Sequence, residues 1–99
     1  MLYAIFCEDF PESTALRAEN RPDHLARLTR LVDEGRLVLA GPHPAIDSAN
    51  PGSAGVTGSL IVAEFESLDS AKAWADEDPF LLRGVYARVI VKPFVQALP

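Results

Sequence analysis

"RPDHLARLTRLVDEG", residues 21–35, reads as an amphipathic helix with one residue out of character. With Leu25 as zero on a wheel turning about 100° per residue, Leu28 falls at about −60°, Leu31 at about −120° and Val32 at about −20°. His24 falls at about −100°, inside the leucine stripe, where a core helix normally carries another aliphatic residue. Neither neighbouring acid shares that side: Asp23 lies at about 160° and Asp33 at about 80°. Asp33 is also about 13 Å along the axis from His24. Pro22 suits the first helical position, where its missing N–H is harmless, and Asp23 complements the helix dipole. Gly35 suits the left-handed residue that closes a helix.

The flanking sequence supplies the rest of the fold. "LYAIFC" (2–7) is aromatic and branched and reads as a strand. "EDFPESTALRAEN" is polar and irregular, with room for one helical turn around Ala15 to Ala18. "RLVLAG" (36–41) is a second strand; 42–58, with three prolines, three glycines and no apolar period, reads as a long loop. "SLIVAEFE" (59–66) is a third strand. Ser67 then caps a helix carrying Leu68, Ala71, Trp74 and Ala75 at helical spacing. That helix stops at "DEDPF", because Pro79 disfavours helical geometry at Asp78. "GVYARVIVKPF" (84–94) is the fourth strand, with Pro93 pointing to a sheet edge. The order β-α-β-β-α-β is the ferredoxin-like α+β plan. It implies a single domain over 1–99, an antiparallel sheet in the order 4-1-3-2, and both helices on one face. The other face would be bare and apolar, and a homodimer formed through the sheets is the simplest cover.

Bulk chemistry narrows the function. The chain has 99 residues, 48% hydrophobic and 23% charged, as in ordinary globular proteins. Its net charge is −5, from 14 acidic against 9 basic residues, which argues against nucleic acid as a partner. A small anion can still be held by a local arginine. The lone Cys7 excludes an internal disulfide and a cysteine zinc cage. The start lacks the features of a secretory signal, and no apolar run approaches the roughly 20 residues of a membrane span. A cytoplasmic location follows as the expectation, with no membrane association and no cofactor.

Topology gathers the unusual residues. If strand 1 ends at the top, helix 1 begins there, strand 2 ends there, strand 3 starts there, helix 2 ends there and strand 4 starts there. Cys7 to Asp9, Arg21 to His24, Gly41 to His43, Gly58, Ser59 and Asp78 to Tyr86 then share one edge. Asp78 is thus the expected partner of His24. A carboxylate bonded to one imidazole nitrogen fixes the tautomer and leaves the other nitrogen free for general acid–base work. Arg21, Gly41, Pro42, Ser59 and Phe80 are the candidate substrate-binding residues, with Gly41 and Pro42 shaping a pocket and the 42–58 loop closing it. Each has a plain structural reading too: His24 as a packed core histidine, Asp78 as a chain cap, Cys7 and Trp74 as packing residues, Arg17 and Arg21 as solvent-facing. His43 in "GPHP" reads as a solvated loop residue. A metal site of His24, His43, Asp78 and Glu8 has suitable ligand types but no supporting spacing, so no metal is expected.

"RPDHLARL", "DEGRLVLAGPHPAIDS", "GSLIVAEFESLDSAKAWADEDPF" and "GVYARVIVKPF" together, in collinear order over nearly the whole chain, resemble the YciI-like family. The resemblance implies a dimeric ferredoxin-like fold akin to that of muconolactone isomerase, with a histidine–aspartate pair proposed as catalytic. Carried over, the histidine is His24 and the aspartate is Asp78 of "DPF". A dehydrochlorinase of a chlorinated hydroxyquinol belongs to the same family, which makes small cyclic or aromatic compounds the implied substrates; elimination, isomerisation and hydrolysis stay open. The competing readings are a non-catalytic ligand-binding or sensing dimer and a purely structural accessory subunit.

Overall fold

The computed structural model describes residues 1–99. The elements are β1 (Leu2–Asp9), α1 (Thr14–Asp33), β2 (Leu37–Pro44), a single 3-10 turn (Gly52–Ala54), β3 (Val56–Glu64), α2 (Leu68–Asp76), α3 (Pro79–Leu82) and β4 (Tyr86–Phe94). The strands form one antiparallel sheet in the order β2-β3-β1-β4, the expected 4-1-3-2 arrangement seen from its other edge. Leu28 and Leu31 of α1 and Ala71 and Ala75 of α2 share one core with Tyr3, Ile5, Cys7, Ile61 and Ala63 of the sheet. Both long helices therefore cover the same face, and the fold is ferredoxin-like α+β.

Helix α1 is longer than its wheel suggested. It starts at Thr14, not at Pro22, which lies inside the helix. Ala15, Leu16, Arg17 and Glu19 are good helix formers; they offset the bond that Pro22, lacking an N–H, cannot make one turn back and the crowding of its ring against the Ala18 carbonyl. Ser13 precedes the helix but its hydroxyl donates to the Phe10 carbonyl instead of capping. At the other end Gly35 has φ of 71°; its N–H donates to the Val32 carbonyl (2.9 Å) and the Arg36 N–H to that of Leu31 (2.9 Å). These are the paired bonds of a Schellman closure.

The loop read over 42–58 is shorter in fact. β2 runs on through Pro42 and Pro44, and β3 begins at Val56. Prolines are tolerated there because β2 is an edge strand whose outward groups need no ladder partner. Pro93 sits in β4, the opposite edge. Ser67 caps α2 by accepting from the Ser70 N–H at 3.0 Å. After α2 the chain does not simply become irregular: Asp78 caps α3, a single turn with Pro79 in its first positions. Trp74 is only half-buried, with the Arg27 guanidinium 4.3 Å from its ring and donating to its carbonyl. That contact ties α1 to α2. No helix is long and apolar enough to cross a membrane.

Candidate active site

Three elements meet at the end of the sheet where β1 finishes. From α1 come Arg17, Arg21 and His24, spaced at i, i+4 and i+7 so that they share one side of the helix. From the β2–β3 pair come Gly41 and Pro42, the latter in register with Ser59. The α2–α3 junction contributes Asp78 and Phe80.

His24 and Asp78 are both buried, at 7% and 2% exposure, and His24 Nδ1 lies 2.9 Å from Asp78 Oδ1 and 3.0 Å from Oδ2. The same Oδ1 accepts the Phe80 N–H at 2.9 Å. The carboxylate is therefore locked by the turn it caps, and it in turn holds the imidazole. The contact suits the tautomer with the proton on Nδ1, donated to the carboxylate, which leaves Nε2 its lone pair. No protein group bonds Nε2. Phe80 stacks on the imidazole with ring centres 4.0 Å apart and planes 13° apart, and Tyr86 meets it edge-on at 6.4 Å. The ring is fixed on three sides.

A cavity of about 480 Å³ opens beside His24. Arg21, Gly41, Pro42, Ser59 and Phe80 all lie on its wall with His24, while Asp78 sits behind the histidine, off the wall. The wall also includes Arg17, which is not solvent-facing: its side chain is 15% exposed. Arg17 Nε donates to Asp9 Oδ2 at 2.6 Å and Nη2 to Asp9 Oδ1 at 3.1 Å, a two-point grip on a carboxylate only 2% exposed. Nη2 also donates to Ser59 Oγ at 2.8 Å. The guanidinium lies 4.9 Å from the Phe80 ring centre and 5.8 Å from that of Tyr86. Asp9 offsets its charge, and Nη1 makes no hydrogen bond to the protein. Arg21 makes no ion pair and is exposed at the cavity.

Arg17, read as solvent-facing or as an anion holder, and Asp9 and Tyr86, read without roles, are the further neighbours of this site. The signal for Arg17 was its spacing from His24, hidden by starting the helix eight residues late. Cys7 and Ser59 are register partners, and both are buried beneath the helices. Burial pushes the Cys7 thiol up to about 12 and raises the Tyr86 phenol further, so neither supplies an anionic nucleophile. The Tyr86 hydroxyl is buried without a hydrogen bond that meets normal geometry, although the Cys7 thiol and the Ser59 hydroxyl are its polar neighbours. His43 lies in register with Gly58 and packs against Phe6 at 5.2 Å, on the sheet face away from the helices. It is thus separated from His24, and no group of three or more metal-ligating side chains forms.

The YCII-related domain model matches residues 1–95. The chain is 58% identical over 94 residues to Protein YciI of Escherichia coli O6:H1, covering 95% of this chain and 96% of that protein. It is 54% identical over 94 residues to an uncharacterised protein of Haemophilus influenzae, with the same coverage. Among solved structures it is similar to 5-chloro-2-hydroxyhydroquinone dehydrochlorinase from Burkholderia phenoliruptrix AC1100, in complex with 2,5-dihydroxybenzoquinone, with a TM-score of 0.83 and 30% identity over 96% of this chain and 94% of that one. The chain belongs to the YCII-related family.

Proposed function

We propose that the protein is an enzyme that moves a proton on a small, oxygenated cyclic or aromatic compound, with His24 Nε2 as the base and Asp78 as the carboxylate that orients it. The observation carrying this reading is a histidine pinned at Nδ1 by a buried carboxylate, with its other nitrogen unpartnered beside a cavity of about 480 Å³. Proton removal from the carbon next to a carbonyl, or from a phenolic hydroxyl, leaves negative charge on substrate oxygen, and prearranged donors lower the cost of that charge. Arg17 Nη1, the Ser59 hydroxyl and Arg21 supply such donors on the same wall. The likeness to a dehydrochlorinase holding a dihydroxybenzoquinone supports a hydroxylated ring as the substrate class. Elimination and isomerisation both begin with this proton transfer.

The same reading makes the working form a homodimer joined through the open sheet face. Phe6, Leu39 and Phe94 are exposed there at 39%, 47% and 40%, and Phe6 lies in register with Leu60 and Ile90.

The test follows the proton. Small hydroxyquinones and enolisable cyclic ketones are incubated in D2O, and ring C–H exchange is followed by NMR with the native protein and with His24→Asn. The native protein should accelerate exchange for part of the panel, and His24→Asn should lose about 10²–10⁴-fold. Exchange undiminished in His24→Asn would overturn the assignment.

A further inference from the structure

The cavity is too long for a bare ring, and its two ends differ in chemistry. The geometry points to an amphipathic substrate: an acidic, oxygenated ring at His24 bearing an apolar tail that runs down the groove between α1 and the edge strand β2. This inference rests on the reading of His24 as the proton-transfer residue and adds what the rest of the cavity is for. At the upper end stand Arg21, His24 and Ser59; Leu25 follows directly below His24, and Val32 and Leu37 stand at the lower end. His24 and Val32 are eight residues apart on α1, about 12 Å along the axis. Leu37 pairs with Ala63 at the far end of the β2–β3 ladder, whereas Pro42 pairs with Ser59 beside the site.

The apolar side of α1 is split in two. Leu28 and Leu31 go into the core at 8% and 1% exposure, but Leu25 and Val32 stay 38% and 56% exposed and line the groove instead. Exposed apolar residues gathered along a concave wall mark a ligand surface better than scattered ones do. Size agrees: a cavity of about 150 Å³ holds benzene, so about 480 Å³ takes a ring and a substantial substituent. Charge agrees as well, since Arg17 is offset by Asp9 while Arg21 has no acidic partner and faces the ring end.

The test is a chain-length series. The probes are 2,5-dihydroxybenzoquinone unsubstituted or carrying a straight ethyl, butyl or hexyl chain on a ring carbon, with binding measured by calorimetry. Affinity should rise roughly three- to fourfold per buried methylene and level off once the tail reaches Val32. Val32→Trp, which fills the lower groove from an exposed position, should collapse the ratio of hexyl to unsubstituted affinity towards one; Thr29→Phe is the second blocking variant. Affinity flat with chain length, or no binding by any of the four, overturns the inference. So does a chain-length gain that neither blocking variant reduces, because the tail then lies on another surface. Undiminished turnover in His24→Asn with the chain-length trend intact would remove the base assignment and leave the tail groove standing, so the two claims fail separately.

Discussion

Asp78 does two jobs with one carboxylate: it caps α3 through the Phe80 N–H and it holds His24 at Nδ1. This coupling is why the histidine is so well placed, since the residue that starts one helix is the residue that orients a ring on another. Behind the pair, Cys7 and Tyr86 fill the core with titratable groups that burial keeps protonated. Their effect on stability has a definite sign. Unfolded, the thiol titrates at its ordinary value of 9.0; folded, it is pushed up to about 12. Between those values the unfolded chain releases a proton that the folded chain keeps, so stability is full below about pH 9 and falls as pH rises towards 12. Tyr86 acts in the same direction. Urea midpoints from pH 7 upward should decline above about pH 9, and Tyr86→Phe should flatten the decline. A midpoint that holds or rises through that range would contradict this account of the core.

At the scale of elements, legibility followed the strength of local signals. The four strands, the Ser67 cap and the Gly35 closure were readable because each depends on a few adjacent residues. The start of α1 was not, because Pro22 resembles a first-turn proline and the polar stretch before it carries no apolar stripe. That stretch is helical because its inward side faces a polar site, where Arg17 and Asn20 replace leucines. Asn20 is buried, donating to the Leu16 carbonyl at 2.9 Å and accepting from Arg83 at 2.8 Å. Pro42 and Pro44 masked the last part of β2 for a related reason, since an edge position excuses them. Gly58 shows what the ladder demands: a Cβ there would lie 2.0 Å from the Cys7 carbonyl oxygen. Gly58→Ala must push β1 and β3 apart and should cost about 2 kcal/mol or more, read as a lowered urea midpoint. Gly41→Ala, with nothing within 4 Å of the added carbon, should leave stability within about 0.5 kcal/mol. Equal costs at the two positions would contradict the register.

At the scale of the whole molecule, topology carried most of the information. His24 and Asp78 are 54 positions apart, and no local pattern joins them; the β-α-β-β-α-β order does. What topology could not supply was direction. That Cys7 and Ser59 both sit under the helices, and that His43 sits on the opposite face, depends on strand alternation and on the irregularities in the β2–β3 register. The open face makes its own prediction. Sedimentation should show a dimer for the native chain and a monomer for Phe6→Glu, because a charge there would be buried against an apolar partner surface. A native chain that stays monomeric at working concentrations would contradict the proposed assembly.

The central claim is that Asp78 fixes the proton of His24 on Nδ1 and leaves Nε2 as the base. Nitrogen-15 NMR of the His24 ring, at a pH where the imidazole is neutral, reads this directly and needs no substrate. The account predicts a protonated Nδ1 and an unprotonated Nε2, with Asp78→Asn shifting the tautomer balance. A proton found on Nε2 in the native protein, or a tautomer that ignores Asp78→Asn, would contradict it.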